Sequence, residues 1–331
     1  MAHETPTVDA FRRLVDEGYN LIPMYRRVMS DQLTPVLVYR RMVRPDARMS
    51  PSFLLESVEG GERIGRYSFI GSQPALQIIA WGDRTQYLDL RDPGRSRQYT
   101  SPNPLKEIEA VARAWKLAPV PGLPEFTGGW VGFAGYDAVR YLEGEKLPKP
   151  PEDDRGLPDV QMGLYRRVVA FDHVQKAVLV ITHVLMDEHL DESDPVSSAY
   201  AAGAAELDQM VETVETRPRV VPPGGPELSP GVLDLDAPAP PALRSNMGEG
   251  GYQEAVRHCK QYISAGDVFQ VVPSQRFSVD TAADPFDIYR ALRVVNPSPY
   301  MFYVQAKGAV LVGSSPEILC KVDNGVVTSR P

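Results

Sequence analysis

Ala177-Val178-Leu179-Val180-Ile181-Thr182-His183-Val184-Leu185 is an apolar, branched run with a strong preference for a β-strand. A second such run extends from Met162 to Phe171, and a polar stretch at 172–176 separates the two. Two apolar runs on either side of a short polar turn predict a pair of antiparallel strands. We therefore expect the fold to be built on an antiparallel sheet.

The segments around this pair continue the pattern. Helical periodicity or helix-start signals occur after Thr7, after Asn103-Pro104, after Asp194-Pro195, over 252–263 and after Asp284-Pro285. Short strands separated by turn residues are predicted at 36–43, 52–57, 67–70, 75–81, 85–90, 268–277, 300–306, 309–313, 317–322 and 326–329. The glycines of 128–137 fit neither a GxGxxG nor a Walker pattern, so they predict close packing or tight turns. The predicted fold class is α+β, with large antiparallel sheets packed against helices.

The domain organisation is predicted from a change of composition. Residues 217–248 contain eight prolines and little periodicity, which is typical of a linker. This linker separates an N-terminal domain, 1–216, from a C-terminal part, 249–331. The last predicted strand begins only at Val326, and the sequence stops at Pro331. We therefore expect the C-terminal part to be incomplete, as in a truncated chain.

Composition excludes several classes of function. The 331 residues carry 35 Lys and Arg against 43 Asp and Glu, and this net charge of -8 argues against a nucleic-acid-binding protein. No apolar run approaches the roughly 20 residues of a membrane helix, and residues 1–6 do not resemble a secretory signal. Cys259 and Cys320 form neither a disulfide framework nor a metal-ligand spacing. A cytoplasmic protein that contacts neither membrane nor nucleic acid is expected.

One polar residue interrupts an otherwise apolar segment near the C-terminus. The segment is Gly266-Asp267-Val268-Phe269-Gln270-Val271-Val272-Pro273-Ser274-Gln275, predicted to form a strand after a helix that ends at Gly266. From the pattern alone, Gln270 is either a hydrogen-bonded amide of the core or a replacement at a catalytic position.

Three motifs occur together in this chain. They are Leu54-Leu55-Glu56-Ser57, the segment 266–275, and Asn296-Pro297-Ser298-Pro299-Tyr300-Met301 followed by Gly313-Ser314-Ser315-Pro316-Glu317. As an ordered set they closely resemble component I of anthranilate synthase, one of the chorismate-utilising enzymes. The resemblance extends from about Leu21 to the last residue and is weakest in the linker.

The resemblance implies a reaction in which chorismate is aminated, its C4 hydroxyl leaves and pyruvate is eliminated, giving anthranilate for L-tryptophan biosynthesis. It makes Glu317 the general acid/base at the C4 oxygen, although a glutamate after a turn can also be a plain surface residue. Relatives that add water to chorismate carry a lysine base at the position of Gln270. A neutral amide cannot deprotonate water, so Gln270 favours an aminating enzyme. The alternative aminating enzyme is 4-amino-4-deoxychorismate synthase component I.

The resemblance also implies an L-tryptophan pocket for feedback inhibition. Its residues are Ser57, Pro299, Tyr300 and Met301, with Glu56 as a further contributor. From periodicity alone, Leu54, Leu55 and Met301 would simply be core residues and Ser57 a capped turn. Because the two motifs lie on opposite sides of the linker, tryptophan is expected to bridge the two parts and act allosterically.

Partners and cofactors are implied in the same way. A glutamine amidotransferase subunit, absent from this sequence, would supply ammonia. Mg²⁺ would be the cofactor, with no metal ligands within this chain and all of them expected beyond Pro331. The 331 residues alone are therefore expected to be inactive, and a non-catalytic tryptophan-binding fragment is the alternative of a different class.

Overall fold

The structure is a computed structural model that describes residues 6–29, 31–43, 50–57, 65–150, 152–216, 234, 243–323 and 325–329. The chain forms two compact units, one made of Met1–Ser229 with Tyr289–Pro331 and one made of Pro230–Ile288. The predicted linker at 217–248 lies largely outside the described residues.

The bounds of the elements are as follows. The described α-helices are α1 (Val8–Asp16), α2 (Pro35–Met42), α3 (Leu105–Arg113), α4 (Arg140–Glu143), α5 (Pro195–Glu215), α6 (Gly251–Ala265) and α7 (Pro285–Val295). The described strands are β1 (Leu21–Met29), β2 (Ser52–Glu56), β3 (Tyr67–Ser72), β4 (Leu76–Trp81), β5 (Arg84–Asp89), β6 (Arg97–Thr100), β7 (Gly129–Ala134), β8 (Val160–Tyr165), β9 (Arg167–Asp172), β10 (Ala177–Leu185), β11 (Arg244–Ser245), β12 (Phe277–Ser278), β13 (Tyr300–Ala306), β14 (Ala309–Ser315), β15 (Cys320–Asp323) and β16 (Val326–Ser329).

A seven-stranded sheet in the order β1-β10-β9-β3-β2-β13-β14 forms the centre of the first unit. Each neighbouring pair is antiparallel. The predicted pair of apolar runs is its β9–β10 hairpin, and every residue of β10 is buried. A strand that is apolar on both sides must be covered on both faces. The α+β fold with large antiparallel sheets is confirmed.

A second sheet and a layer of helices provide that cover. The five-stranded sheet β6-β5-β4-β8-β7 contributes Tyr165 and Val131 to a core with Phe53, Val168 and Val304 of the first sheet. Helix α5 packs on β10 and β1 at the opposite face, where the Cβ atom of any residue replacing Gly203 would lie 2.6 Å from the Met24 sulfur. Close approach of α5 therefore depends on that glycine.

The chain passes between the two sheets at two points. Residues 73–75 connect β3 to β4, and Arg166 alone connects β8 to β9. The predicted strand from Met162 to Phe171 is therefore two strands in different sheets. Periodicity could not reveal this, because both strands are apolar on either side of Arg166.

The strand predicted at 36–43 was wrong, since residues 36–42 belong to α2 and Val43 is its C-cap. Thr34 accepts a hydrogen bond from the Leu37 amide, and Pro35 occupies the first turn. An N-cap threonine followed by proline starts a helix despite the apolar residues Val36, Leu37 and Val38. The Thr7 cap of α1 and the Asp194 cap of α5 were predicted correctly.

Strands β13 and β14 join the first sheet through β2, although the sequence placed residues 249–331 in a separate part. The sheet therefore crosses the predicted boundary. Pairing of β2 with β13 satisfies the backbone N–H and C=O groups at the edges of both strands.

The second unit contains α6 and the short β11–β12 ladder. The strand predicted at 268–277 was wrong, because only Phe277–Ser278 pairs, with Arg244–Ser245. Residues 266–272 are exposed and include Phe269 at 85% and Val272 at 81%. An apolar sequence forms a strand only where a neighbour accepts its hydrogen bonds, and among the described residues no strand pairs with 268–275.

The glycine-rich segment packs tightly, as predicted. A Cβ atom at Gly132 would lie 2.0 Å from the Gln161 carbonyl oxygen, and one at Gly128 would lie 2.8 Å from His183 Cε1. His183 is buried; its Nδ1 lies 2.9 Å from the Arg166 carbonyl oxygen and its Nε2 lies 3.0 Å from the Thr127 hydroxyl. The carbonyl needs a donor, so Nδ1 carries the proton of a neutral ring.

Burial lowers the pKa of His183 to about 4, and the hydrogen bond to Arg166 opposes this only in part. The unfolded chain takes up the proton near pH 6.5, so the stabilising effect of the neutral ring is present above that pH and is lost as pH falls towards 4. We predict that the free energy of unfolding, measured with urea, falls over this range with a His183 contribution approaching about 1.4 kcal/mol per pH unit. His183→Gln should show a shallower slope.

His258→Gln is the matched control, because His258 is exposed on α6. Equal slopes in His183→Gln and the unaltered chain would contradict the assignment.

Candidate functional site

The residues of the predicted tryptophan pocket meet where β2 and β13 pair. Glu56, the last residue of β2, lies opposite Met301, the second residue of β13, and opposite Ser68 of β3. Side chains of directly opposed residues share one face of a sheet. Glu56, Met301 and Ser68 therefore lie in one row on the face covered by the helices.

Glu56 is the buried charge of this row, with its side chain 3% exposed. The Tyr289 hydroxyl donates to Oε2 at 2.6 Å, and the Arg293 NH2 donates to Oε1 at 3.1 Å. Arg293 Nε also lies 2.9 Å from Oε2, but its N–H points away from that oxygen, so this is an ion-pair contact without a hydrogen bond. Both partners come from α7, and the carboxylate therefore attaches that helix to the sheet.

The same helix contributes aromatic contacts. The ring of Tyr289 lies edge-on to Tyr303 of β13, with centroids 5.8 Å apart, and Tyr303 lies edge-on to Tyr39 of α2 at 5.4 Å. Burial and the charge of Glu56 raise the pKa of Tyr289, so its hydroxyl stays a proton donor to the carboxylate. The rings and the ion pair together fix the beginning of β13 relative to α2.

A second polar pair continues the row. The Ser68 hydroxyl lies 2.7 Å from His173 Nε2, and burial lowers the pKa of His173 although the Glu56 charge opposes this. Next to it, Asp172 is held by Arg66 at 2.8 Å and by the amides of the following turn. Glu56 is the carboxylate directly opposite Met301 in the sheet.

Ser57, Pro299 and Tyr300 lie at the ends of the paired strands. Since Glu56 opposes Met301 in an antiparallel pair, Ser57 is next to Tyr300. Ser57 and Pro299 are partly buried, Tyr300 is 38% exposed and Met301 is buried. All five residues predicted for the tryptophan pocket are therefore brought together within the first unit.

The sequence prediction did not include Ser298, Tyr289 or Arg293. The Ser298 side chain is buried, and its hydroxyl has no hydrogen-bond partner among the described residues. The only sequence signal for Ser298 was its position within the motif that contains Pro299. Tyr289 and Arg293 could not be found from sequence, because their partner Glu56 is far away along the chain.

Glu317 and Gln270, the two predicted catalytic residues, are both exposed, unlike Glu56 and Met301. Glu317 is exposed between β14 and β15, because β14 extends through Ser314 and Ser315, where a turn was expected, and β15 begins only at Cys320. Its carbonyl oxygen accepts from the Ser315 hydroxyl at 3.2 Å. Gln270 is exposed within the second unit, so it is not the hydrogen-bonded core amide that the pattern also allowed.

Two kinds of feature are absent from the described residues. They contain no group of three or more His, Cys, Asp or Glu side chains that could hold a metal ion. The magnesium site stays a prediction. None of the described helices is long and apolar enough to cross a membrane.

Removing Arg293, the ion-pair partner of Glu56, should lower the stability of the fold. Arg293→Met leaves a buried carboxylate without its counter-ion, so we predict that the free energy of unfolding drops by about 3 kcal/mol in urea titrations followed by circular dichroism. Arg113→Met is the control, because its pair with Glu109 is exposed and should change stability by less than about 0.5 kcal/mol. Equal effects of the two substitutions would refute the proposed importance of the ion pair.

Comparison with known proteins shows the family of this chain. The sequence profile of the chorismate binding enzymes matches residues 50–331. The chloroplastic anthranilate synthase alpha subunit 1 of Oryza sativa subsp. indica is 45% identical over 329 residues, which are 97% of this chain and 55% of that protein. Anthranilate synthase component 1 of Acetivibrio thermocellus is 36% identical over 98% of this chain and 62% of that protein.

A solved structure is also similar. Anthranilate synthase component I from Streptococcus pneumoniae TIGR4 matches with a TM-score of 0.59 and 28% identity, over 91% of this chain and 60% of that chain. The chain thus spans about half the length of the curated relatives first matched. Because the profile match covers most of the 331 residues, the chain belongs to the family of chorismate binding enzymes.

Proposed function

We propose that this chain is part of the chorismate-aminating subunit of anthranilate synthase, which converts chorismate and ammonia to anthranilate and pyruvate, the first step of L-tryptophan biosynthesis. The main support for the proposal is the pairing of Glu56 with Met301, which brings two separate motifs together in one sheet. The names of the relatives from Oryza sativa and Acetivibrio thermocellus support it.

The proposed regulatory ligand of that site is L-tryptophan. The ammonium group of an amino acid requires oxygen acceptors, and an indole requires apolar and aromatic walls. Ser57, the backbone carbonyls after Pro299 and the buried Ser298 hydroxyl can supply polar contacts, while Tyr300 and Met301 supply the wall. Glu56 already binds Tyr289 and Arg293, so its contribution is chiefly to hold the strand ends in place.

In the proposed reaction, Glu317 donates a proton to the C4 hydroxyl, which leaves as water while ammonia forms the new C–N bond, the ring double bond shifts and the added nitrogen loses a proton. An exposed carboxylate after a strand end is free to take part in a cleft completed by other residues. Gln270 supplies no base, which disfavours attack by water. Ammonia would come from a separate glutamine amidotransferase subunit, and Mg²⁺ would be held by ligands outside this chain.

Two alternatives to this function are a different aminating enzyme and a non-catalytic tryptophan-binding fragment. Amination without loss of pyruvate would make the parent protein a 4-amino-4-deoxychorismate synthase component I. In the second alternative, the 331 residues bind L-tryptophan but do not convert chorismate. Product analysis distinguishes the two enzymes, since only anthranilate synthase releases pyruvate before a second enzyme acts.

Tryptophan binding can be measured on the chain as it is. We predict saturable binding of L-tryptophan by isothermal titration calorimetry and a raised melting temperature. Ser57→Ala and Met301→Thr should each weaken binding about tenfold, because each removes one contact of the pocket. The control is Met29→Thr, at a methionine that is 78% exposed on β1. The same affinity in all three variants would exclude this pocket.

Catalysis is tested in a chimera that joins residues 1–331 to the remaining C-terminal part of the Oryza sativa relative. With chorismate, Mg²⁺ and ammonium, we predict anthranilate fluorescence from the chimera and none from the 331 residues alone. Glu317→Gln should lower kcat by at least about 100-fold, as expected on removal of a general acid. Full activity of that variant would remove Glu317 from the mechanism, and a product other than anthranilate would refute the proposed reaction.

A further inference from the structure

A cavity of about 400 Å³ lies at the opposite end of β2 from Glu56. Pro51 precedes the strand and Glu56 ends it, a separation of roughly 17 Å at about 3.3 Å per residue. The cavity is formed where the chain passes between the two sheets, by 73–75 on one side and by Arg166 and Arg167 on the other. A volume of this size suits a small organic molecule.

The charged residues that line this cavity all carry the same sign. They are Arg91, Arg166 and Arg167, and no acidic residue lines it. The apolar part of the lining is contributed by Pro51, Pro74, Ala75 and Leu90. Guanidinium groups beside an apolar wall match a molecule that has an anionic group and a short apolar body.

Acidic residues contact these arginines from outside the cavity. Arg91 donates from Nε and NH2 to the two oxygens of Asp89, whose side chain is 2% exposed, and Arg91 NH1 donates to Glu188 at 2.8 Å. Glu188 also accepts from Arg166 NH1 at 2.8 Å. Glu188 thus bridges Arg91 and Arg166, and together with Asp89 it holds the two guanidinium groups in fixed orientations.

The arginines keep hydrogen-bond donors for a ligand. A guanidinium carries five N–H groups, and the contact with Glu188 uses only one nitrogen of Arg166 among the described residues. Arg166 is 19% exposed and Arg91 is 25% exposed, so both are partly removed from water. Electrostatic attraction to an anion is stronger there than at an open surface.

The backbone at this place is also unusual. Gln73, which lines the cavity, has a φ of 53°, in the left-handed region that residues other than glycine seldom adopt. Only one other described non-glycine residue, Lys176, shares this conformation. Such strain occurs at binding sites more often than elsewhere, and here it turns the chain from β3 towards β4.

We propose that this cavity is a binding site for a small organic anion, a phosphate ester or a carboxylate with a short apolar body, held by Arg91 and Arg166. The anionic group contacts the two guanidinium groups, and the apolar body lies against Pro74 and Leu90. The site is separate from the proposed tryptophan pocket, at the other end of the same strand.

Calorimetric titration of the 331-residue chain with phenyl phosphate tests this site. We expect saturable binding with one molecule per chain, weakened by added NaCl. Arg166→Gln should weaken binding about tenfold or more, since it removes a charged donor. The control Arg155→Gln, at an arginine that is 62% exposed, should leave the affinity unchanged.

A second variant provides a test that does not depend on correct folding of Arg166→Gln. Leu90→Trp fills the cavity from a residue that is 47% exposed and leaves the ion pairs intact, so it should prevent binding while the circular dichroism spectrum stays that of the unaltered chain. The inference is overturned if phenyl phosphate does not bind, or if Arg166→Gln and Arg155→Gln bind it equally. Equal binding of inorganic phosphate or of neutral benzyl alcohol would overturn the assignment to an organic anion.

Discussion

β13 pairs with β2 through five residue pairs, from Gln305 and Ser52 to Met301 and Glu56, and this register places a carboxylate on the covered face of the sheet. A buried carboxylate is tolerated only with partners, and α7 supplies both of them, Tyr289 and Arg293. The position of α7 and the register of β13 are therefore fixed together. A shift of β2 by one residue against β3 and β13 would turn Glu56 to the other face, towards the aromatic core between the sheets.

The two ends of β2 lie beside two different proposed binding sites. Its C-terminal end carries the proposed tryptophan pocket, formed by strand ends and fixed by an ion pair. Its N-terminal end borders the arginine-lined cavity, where the chain passes between the two sheets. In both places a buried acidic residue orients an arginine, Glu56 with Arg293 and Asp89 with Arg91. The difference is that Arg91 also lines a cavity.

Local signals in the sequence predicted much of the fold. The apolar runs gave β9 and β10, and the caps at Thr7 and Asp194 gave the starts of two helices. The motifs selected the five residues that meet at the end of β2. Long-range partners could not be predicted, because Arg293 carries no local mark of its contact with Glu56. The strand predicted at 268–277 was wrong for a related reason. Its pattern indicates a strand, but a strand forms only where another strand lies beside it, and a local pattern does not show whether one does.

We propose that the ends of β2 and β13 form one tryptophan site held by the Glu56 ion pair. Amide hydrogen exchange of the chain with and without saturating L-tryptophan tests this proposal, since exchange reports local protection along the backbone. We predict slower exchange in peptides that cover Leu55–Ser57 and Tyr300–Phe302, with little change at β5 or β6. Unchanged exchange at both strand ends, with protection confined to other parts of the chain, would contradict it.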